Sequence, residues 1–205
     1  MSLYTPAHFR GGDADALALV RDYPFATLVT SDGGEPQFTY LPLLWQEGGA
    51  HGVLLGHMAR ANPQWQAFAQ GRTVALFHGP HAYISPSWYA QPEQHVPTWN
   101  YAAVHAHGRP QLIEAPQDKL ALIDRATAQF ERGNTPPWTR SVGGEQLEKM
   151  LDAIVAFRLP IERLEAKFKF NQNRTPADRA KVVAELRATE HPDLAAMADW
   201  MQAHE

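Results

Sequence analysis

The sequence contains no cysteine, which excludes disulfides, thiolate catalysis and cysteine-ligated metals. No apolar run among the 205 residues approaches the ~20 that a membrane-spanning helix needs. Met1-Ser2-Leu3-Tyr4 is not a basic segment leading into an apolar one, so a secretory leader is not expected. A soluble, cytoplasmic protein without membrane partners is the expectation. Positive charge is scarce in the first half: residues 1–102 hold four Arg, no Lys and seven acids, against fourteen Lys+Arg and fifteen acids in residues 103–205. A net charge of −4 argues against autonomous nucleic-acid binding, which normally needs a basic stripe. The motifs G-x-S-x-G, G-x-G-x-x-G, Walker A and H-E-x-x-H are absent, which disfavours several large enzyme classes.

What is present reads as mainly β with flanking helices. Asp13 to Asp22 spaces Leu17 and Val20 for a short helix that Tyr23-Pro24 ends. Phe25 to Ser31 and Gln37 to Trp45 are strands joined by the turn Asp32-Gly33-Gly34, and His51 to His57 follows after Gly48-Gly49. Asn62-Pro63 opens a short helix to Phe68. Thr73 to His78, Ala82 to Ser85 and Thr98 to Gln111 are further strands, the first two separated at Gly79-Pro80. Short strands with regular turn signals indicate an antiparallel barrel or sandwich. Helices are expected over Gln117 to Arg132, Gly144 to Ala156, Ala177 to Ala188 and Asp193 to Ala203, with a last strand from Ile154 to Phe170. The whole chain, residues 1–205, reads as one domain, with barrel strands over about 24–115 and 154–170 and a helical segment over about 175–205.

Five segments carry chemistry. Gly56-His57-Met58-Ala59-Arg60-Ala61-Asn62-Pro63 leads from a strand into a helix, where free N–H groups and an arginine suit an anion, although a plain capped turn explains it as well. His78 to Tyr89 and Val96 to Tyr101 are dense in aromatics with polar tips, as suits either a heteroaromatic ligand or a packed interface. Asn100 can donate and accept toward a ring amide. His105 and His107 fall on one strand face, but no third ligand has a familiar spacing, so no metal is expected. Lys167-Phe168-Lys169-Phe170-Asn171-Gln172-Asn173-Arg174 alternates base and aromatic, which fits a basic face for phosphate or a lysine-blunted edge strand.

These runs, with Met1 to Phe9 and in the same order along the chain, resemble the PaiB family, described as FMN-binding negative transcriptional regulators. The resemblance implies an FMN-binding split β-barrel like that of pyridoxamine-phosphate oxidases, and a homodimer with flavin at its interface. It implies that His57, Arg60 and Asn62 hold the phosphate and that Phe38, Thr39, Tyr40 and Leu41 flank the isoalloxazine. Trp99, Asn100, Lys167, Gln172 and Asn173 fall in the other signature runs, within reach of the flavin or its partner-side pocket. One departure stands out: Phe170-Asn171 occupies a place where the pattern carries Leu-Ser, so no hydroxyl is available at 171. The implied function is an FMN-binding repressor, with any DNA contact through the C-terminal helices and the bases from Arg163 to Lys181. The alternative is an FMN-dependent oxidoreductase of flavin-reductase or oxidase type, with His78, His81, His105 and His107 as proton donors. A haem role has less support, because no histidine lies in the context of an axial ligand.

Overall fold

The structure, a computed structural model, describes residues 2–204. Helix α1 (Asp13–Asp22) is followed by β1 (Phe25–Ser31) and β2 (Gln37–Pro42), the expected hairpin, with Leu28 opposite Thr39. Gly33 takes φ 109° in its turn, a conformation that only glycine adopts freely. The strand expected to run to Trp45 ends at Pro42, which lacks the N–H needed to continue a ladder. A second strand, β3 (Leu44–Gln46), then pairs with β4 (Val53–Ala59) instead of with β1. Between them Leu43, fully buried, donates its backbone N–H to the Pro24 carbonyl at 2.9 Å.

β5 spans Arg72–Ile84 without interruption, so Gly79-Pro80 does not break it as the sequence suggests. The cause is packing: a Cβ on Gly79 would lie 2.9 Å from Leu19 Cδ1 and 3.1 Å from Ala102 Cβ, so glycine is there for close approach rather than for a turn. β6 (Thr98–Gly108) and β7 (Gln111–Ile113) replace the single strand expected over that stretch. Helices α2 (Pro116–Phe130) and α3 (Gly144–Asp152) precede the long β8 (Ile154–Lys169), and α4 (Pro176–Ala188) and α5 (Pro192–Ala203) close the chain.

The strands form one eight-stranded sheet in the order β2-β1-β5-β6-β8-β4-β3, with β7 also on β8. By internal contacts the chain divides into two compact units, one of residues 24–76 and 106–164, the other from residues 1–23, 77–105 and 165–205. β5, β6 and β8 contribute to both.

In the first unit the core is built on Leu28, Leu54, Phe157 and Leu159, all fully buried, with Phe68 set edge-on to Phe157 at 5.2 Å. In the second, Phe168 and Phe170 stack at 5.7 Å and Trp200 of α5 meets Phe168 at 5.7 Å. There α4 and α5 are also locked by charge. Arg179 donates to the Met201 and His204 carbonyls at 3.3 Å, and Arg187 pairs with Asp199 at 2.5 Å. Two of the C-terminal bases expected to face a nucleic acid are therefore spent inside their own helical pair. Among the described residues no helix is long and apolar enough to cross a membrane.

Candidate functional site

β2 alternates as the pleat requires. Phe38 and Tyr40 point outward, 57% and 69% exposed, while Leu41 is buried on the other face with Thr39. Thr39 belongs to a polar network that fastens β2 to the turn after β4. Its Oγ1 accepts from Asn62 Nδ2 at 2.7 Å and donates to Gln64 Oε1 through a short contact. Gln64, itself buried, donates to the Leu28 carbonyl at 3.0 Å and the Thr30 hydroxyl at 3.1 Å. Asn62 caps the 3₁₀ turn Pro63–Ala67 by accepting from Gln64 N at 3.0 Å. Both ends of the Asn62 amide are thus engaged, and its part is to shape the turn.

Arg60 is anchored in that turn. Its backbone N–H donates to the Ala153 carbonyl at 2.8 Å, Nε to the Asp152 carbonyl at 2.5 Å and Nη2 to the Ile154 carbonyl at 3.0 Å. The guanidinium therefore satisfies carbonyls at the C-terminus of α3, where cations are favoured. Nη1 keeps its donors free among the described residues.

Arg60 also lines a cavity of about 280 Å³ with Trp65, Ile113, Glu114, Lys119 and Val155. Lys119, on the first turns of α2, is only 7% exposed, and its side chain has no hydrogen bond or ion pair among the described residues. Its stem is buried while its ammonium opens into the cavity beside Arg60, so an anion there would meet two cations. The sequence reading did not single out Lys119. The signal was its place on the buried stripe of α2, three residues before Leu122.

His57 lies apart from this group. It faces outward from β4, opposite the buried Gly56 and Met58, and lines a different cavity under α2 and α3. Burial holds its pKa below the ordinary histidine value.

In the other unit, Trp99 is 53% exposed and meets Tyr83 edge-on at 6.1 Å and His81 at 6.2 Å. With Tyr101, His78 and His81 it lines a groove of about 320 Å³. Lys167 Nζ lies 5.4 Å from the Tyr101 ring centre and 5.5 Å from that of Tyr4. Lys169 donates to Thr98 Oγ1 in a short contact, and burial, with Lys167 and Arg174 nearby, lowers its pKa. Asn100 points the other way. It is fully buried, with Nδ2 3.4 Å from Met201 Sδ, so it does not reach this groove.

Gln172 folds back on its own turn, accepting from Phe170 N at 2.7 Å and donating to the Phe168 carbonyl at 2.6 Å, and Asn173 is exposed. Asn171 has φ 63°, a left-handed conformation that asparagine tolerates better than serine. Its Nδ2 donates to the Tyr89 hydroxyl at 3.1 Å.

Residues 3–163 match the family described as "Putative FMN-binding domain". The chain is 36% identical over 207 residues to "Protease synthase and sporulation protein PAI 2" of Bacillus subtilis (strain 168), covering 98% of this chain and 97% of that protein. Its fold is shared with the flavocytochrome Anf3 from Azotobacter vinelandii, at TM-score 0.62 and 18% identity over 84% of this chain and 75% of that one. It is shared also with the FAD and heme binding protein from Mycobacterium smegmatis, at TM-score 0.60 and 19% identity over 83% and 78%. These likenesses agree with the expected antiparallel split barrel with flanking helices.

Proposed function

The chain belongs to the PaiB family of FMN-binding domains, and from that premise we propose that it is an FMN-binding regulatory protein in which Arg60 and Lys119 hold the flavin phosphate. The observation that carries the reading is that Lys119, whose ammonium has no side-chain partner among the described residues, lines one cavity with Arg60. A phosphate supplies acceptors for the Lys119 ammonium and for the Arg60 Nη1 donors that the carbonyls leave free. Arg60 is pre-organised for this task, because its bonds to the Asp152 and Ile154 carbonyls fix the guanidinium before any ligand arrives. The Thr39–Asn62–Gln64 network holds the turn in place, and Phe38 and Tyr40 offer flat apolar faces suited to an isoalloxazine. Bound FMN would supply electron or hydride transfer, and the protein its position and electrostatics.

The exposed Phe38, Tyr40 and Trp99 are surfaces of the kind that a homodimer covers. Repression of transcription is the regulatory role we infer, and the name of the Bacillus relative, which refers to protease synthase and sporulation, supports regulation. With Arg179 and Arg187 engaged on α5, any DNA contact would fall to Lys181 and its neighbours and would weaken steeply with salt.

The test is the visible spectrum of the purified protein after FMN is added and free flavin removed by gel filtration. Retention of about one flavin per chain in the parent, and its loss in Lys119→Ala, is the expected result. A parent that keeps no flavin overturns the reading. Turnover of reduced nicotinamide by the flavin-loaded protein would move the assignment to an oxidoreductase.

A further inference from the structure

The first unit contains a second, half-open pocket that the flavin reading does not use. It has a volume of about 260 Å³ and is walled by Leu120 and Ile123 of α2, Leu147 and Leu151 of α3, and Ile154, with His57 of β4 among them. A space of this size, below that of drug-binding pockets, suits a molecule of one or two rings.

Its polar content is sparse and selective. The His57 imidazole makes no hydrogen bond or ion pair among the described residues. Burial favours its neutral form, which presents one N–H donor and one lone pair. Neither is taken by a protein partner among the described residues, so both are open to a molecule in the space. The other charged lining groups, Asp124 and Arg140, satisfy each other: Arg140 Nε and Nη2 meet the two carboxylate oxygens at 3.0 and 3.1 Å. The lining thus offers no free charge to an ionic ligand. It offers apolar walls, the half-exposed indole of Trp138 and one imidazole.

We propose that the space under α2 and α3 is a binding site, separate from the flavin, for an uncharged aromatic molecule with a single hydrogen-bonding group that His57 reads. For a regulatory protein such a ligand is an effector. The inference rests on the cavity and on His57, not on the flavin assignment.

Indole, which has one ring N–H, is the probe, titrated calorimetrically into flavin-loaded protein with toluene as the comparison. Saturable binding at one indole per chain is expected. Leu120→Trp fills the space and should abolish binding of both probes while flavin retention stays at the parent level; Thr127→Phe, further along α2, blocks the same space should the first variant not fold. His57→Leu should weaken indole by about ten-fold, the scale of one lost hydrogen bond, and leave toluene unchanged. Absence of saturable heat overturns the proposal, as does binding that neither filling variant alters. Competition between FMN and indole also overturns it, because the space would then be part of the flavin site. A protein that binds indole but retains no FMN fails the flavin reading alone.

Discussion

Asn62 donates through Nδ2 to Thr39 Oγ1 at 2.7 Å, and the same hydroxyl bonds to the buried Gln64. One threonine thus joins the turn after β4 to the strand whose outer face carries Phe38 and Tyr40. Thr39→Val keeps the shape but leaves an amide donor and a buried acceptor without a partner. The expected cost is about 1–3 kcal/mol in urea unfolding, with Thr39→Ser recovering most of it. FMN affinity should fall with Thr39→Val, because the turn bearing Arg60 loses its tie. Full stability in Thr39→Val would remove the network from the account.

Lys119 and Arg60 line one cavity but carry different structural loads, so their variants separate binding from folding. The Lys119 side chain has no partner among the described residues, whereas Arg60 caps α3 carbonyls. Lys119→Met should lower FMN affinity at least about ten-fold, the order of one charge-assisted bond, while the flavin-free protein keeps about the parent's stability, because the methionine fills the place of the lysine stem. Arg60→Ala should lose both affinity and stability. Unchanged flavin binding in Lys119→Met would show that the cavity does not hold the phosphate.

The sequence displays what local chemistry decides. Asp32-Gly33-Gly34 forms its hairpin because a left-handed glycine and an Asp32 side chain that accepts from Gly34 N suffice without tertiary help. The burial of Asn100 is legible too: carrying the alternation of Ala102, Val104 and Ala106 back along β6 puts residue 100 on the buried face. The cavities were not legible, since they arise where α2 and α3 meet β4 and β8, residues distant in sequence. Lys119 looks like any lysine on an amphipathic helix until its surroundings are known.

Gly79 sits mid-strand in β5, and the packing around it gives a direct check on why a glycine stands there. The methyl of Gly79→Ala would meet Leu19 Cδ1 at 2.9 Å and Ala102 Cβ at 3.1 Å. Overpacking of this kind costs about 1–3 kcal/mol. Leu19→Val, which withdraws atoms from the same space, should make the double variant more stable than the sum of the single losses, because touching residues do not add. Strict additivity in the double-mutant cycle would place the glycine's role elsewhere.

Asp178 supplies the pH dependence. Its carboxylate accepts from Ala90 N at 2.9 Å and from Thr175 Oγ1 at 2.8 Å, tying the loop before β6 to the start of α4. These bonds, that to Ala90 foremost, hold its pKa below the usual aspartate value. A carboxyl depressed in the folded state stabilises the protein above its unfolded pKa of about 3.9, and that contribution disappears as the pH falls through the folded value. Asp178→Asn should therefore melt below the parent at neutral pH, and the two melting temperatures should converge as the pH falls through the depressed folded value. A gap that stays constant from neutral to acid pH would mean that the charge of Asp178 does not matter and that only the shape of the cap does.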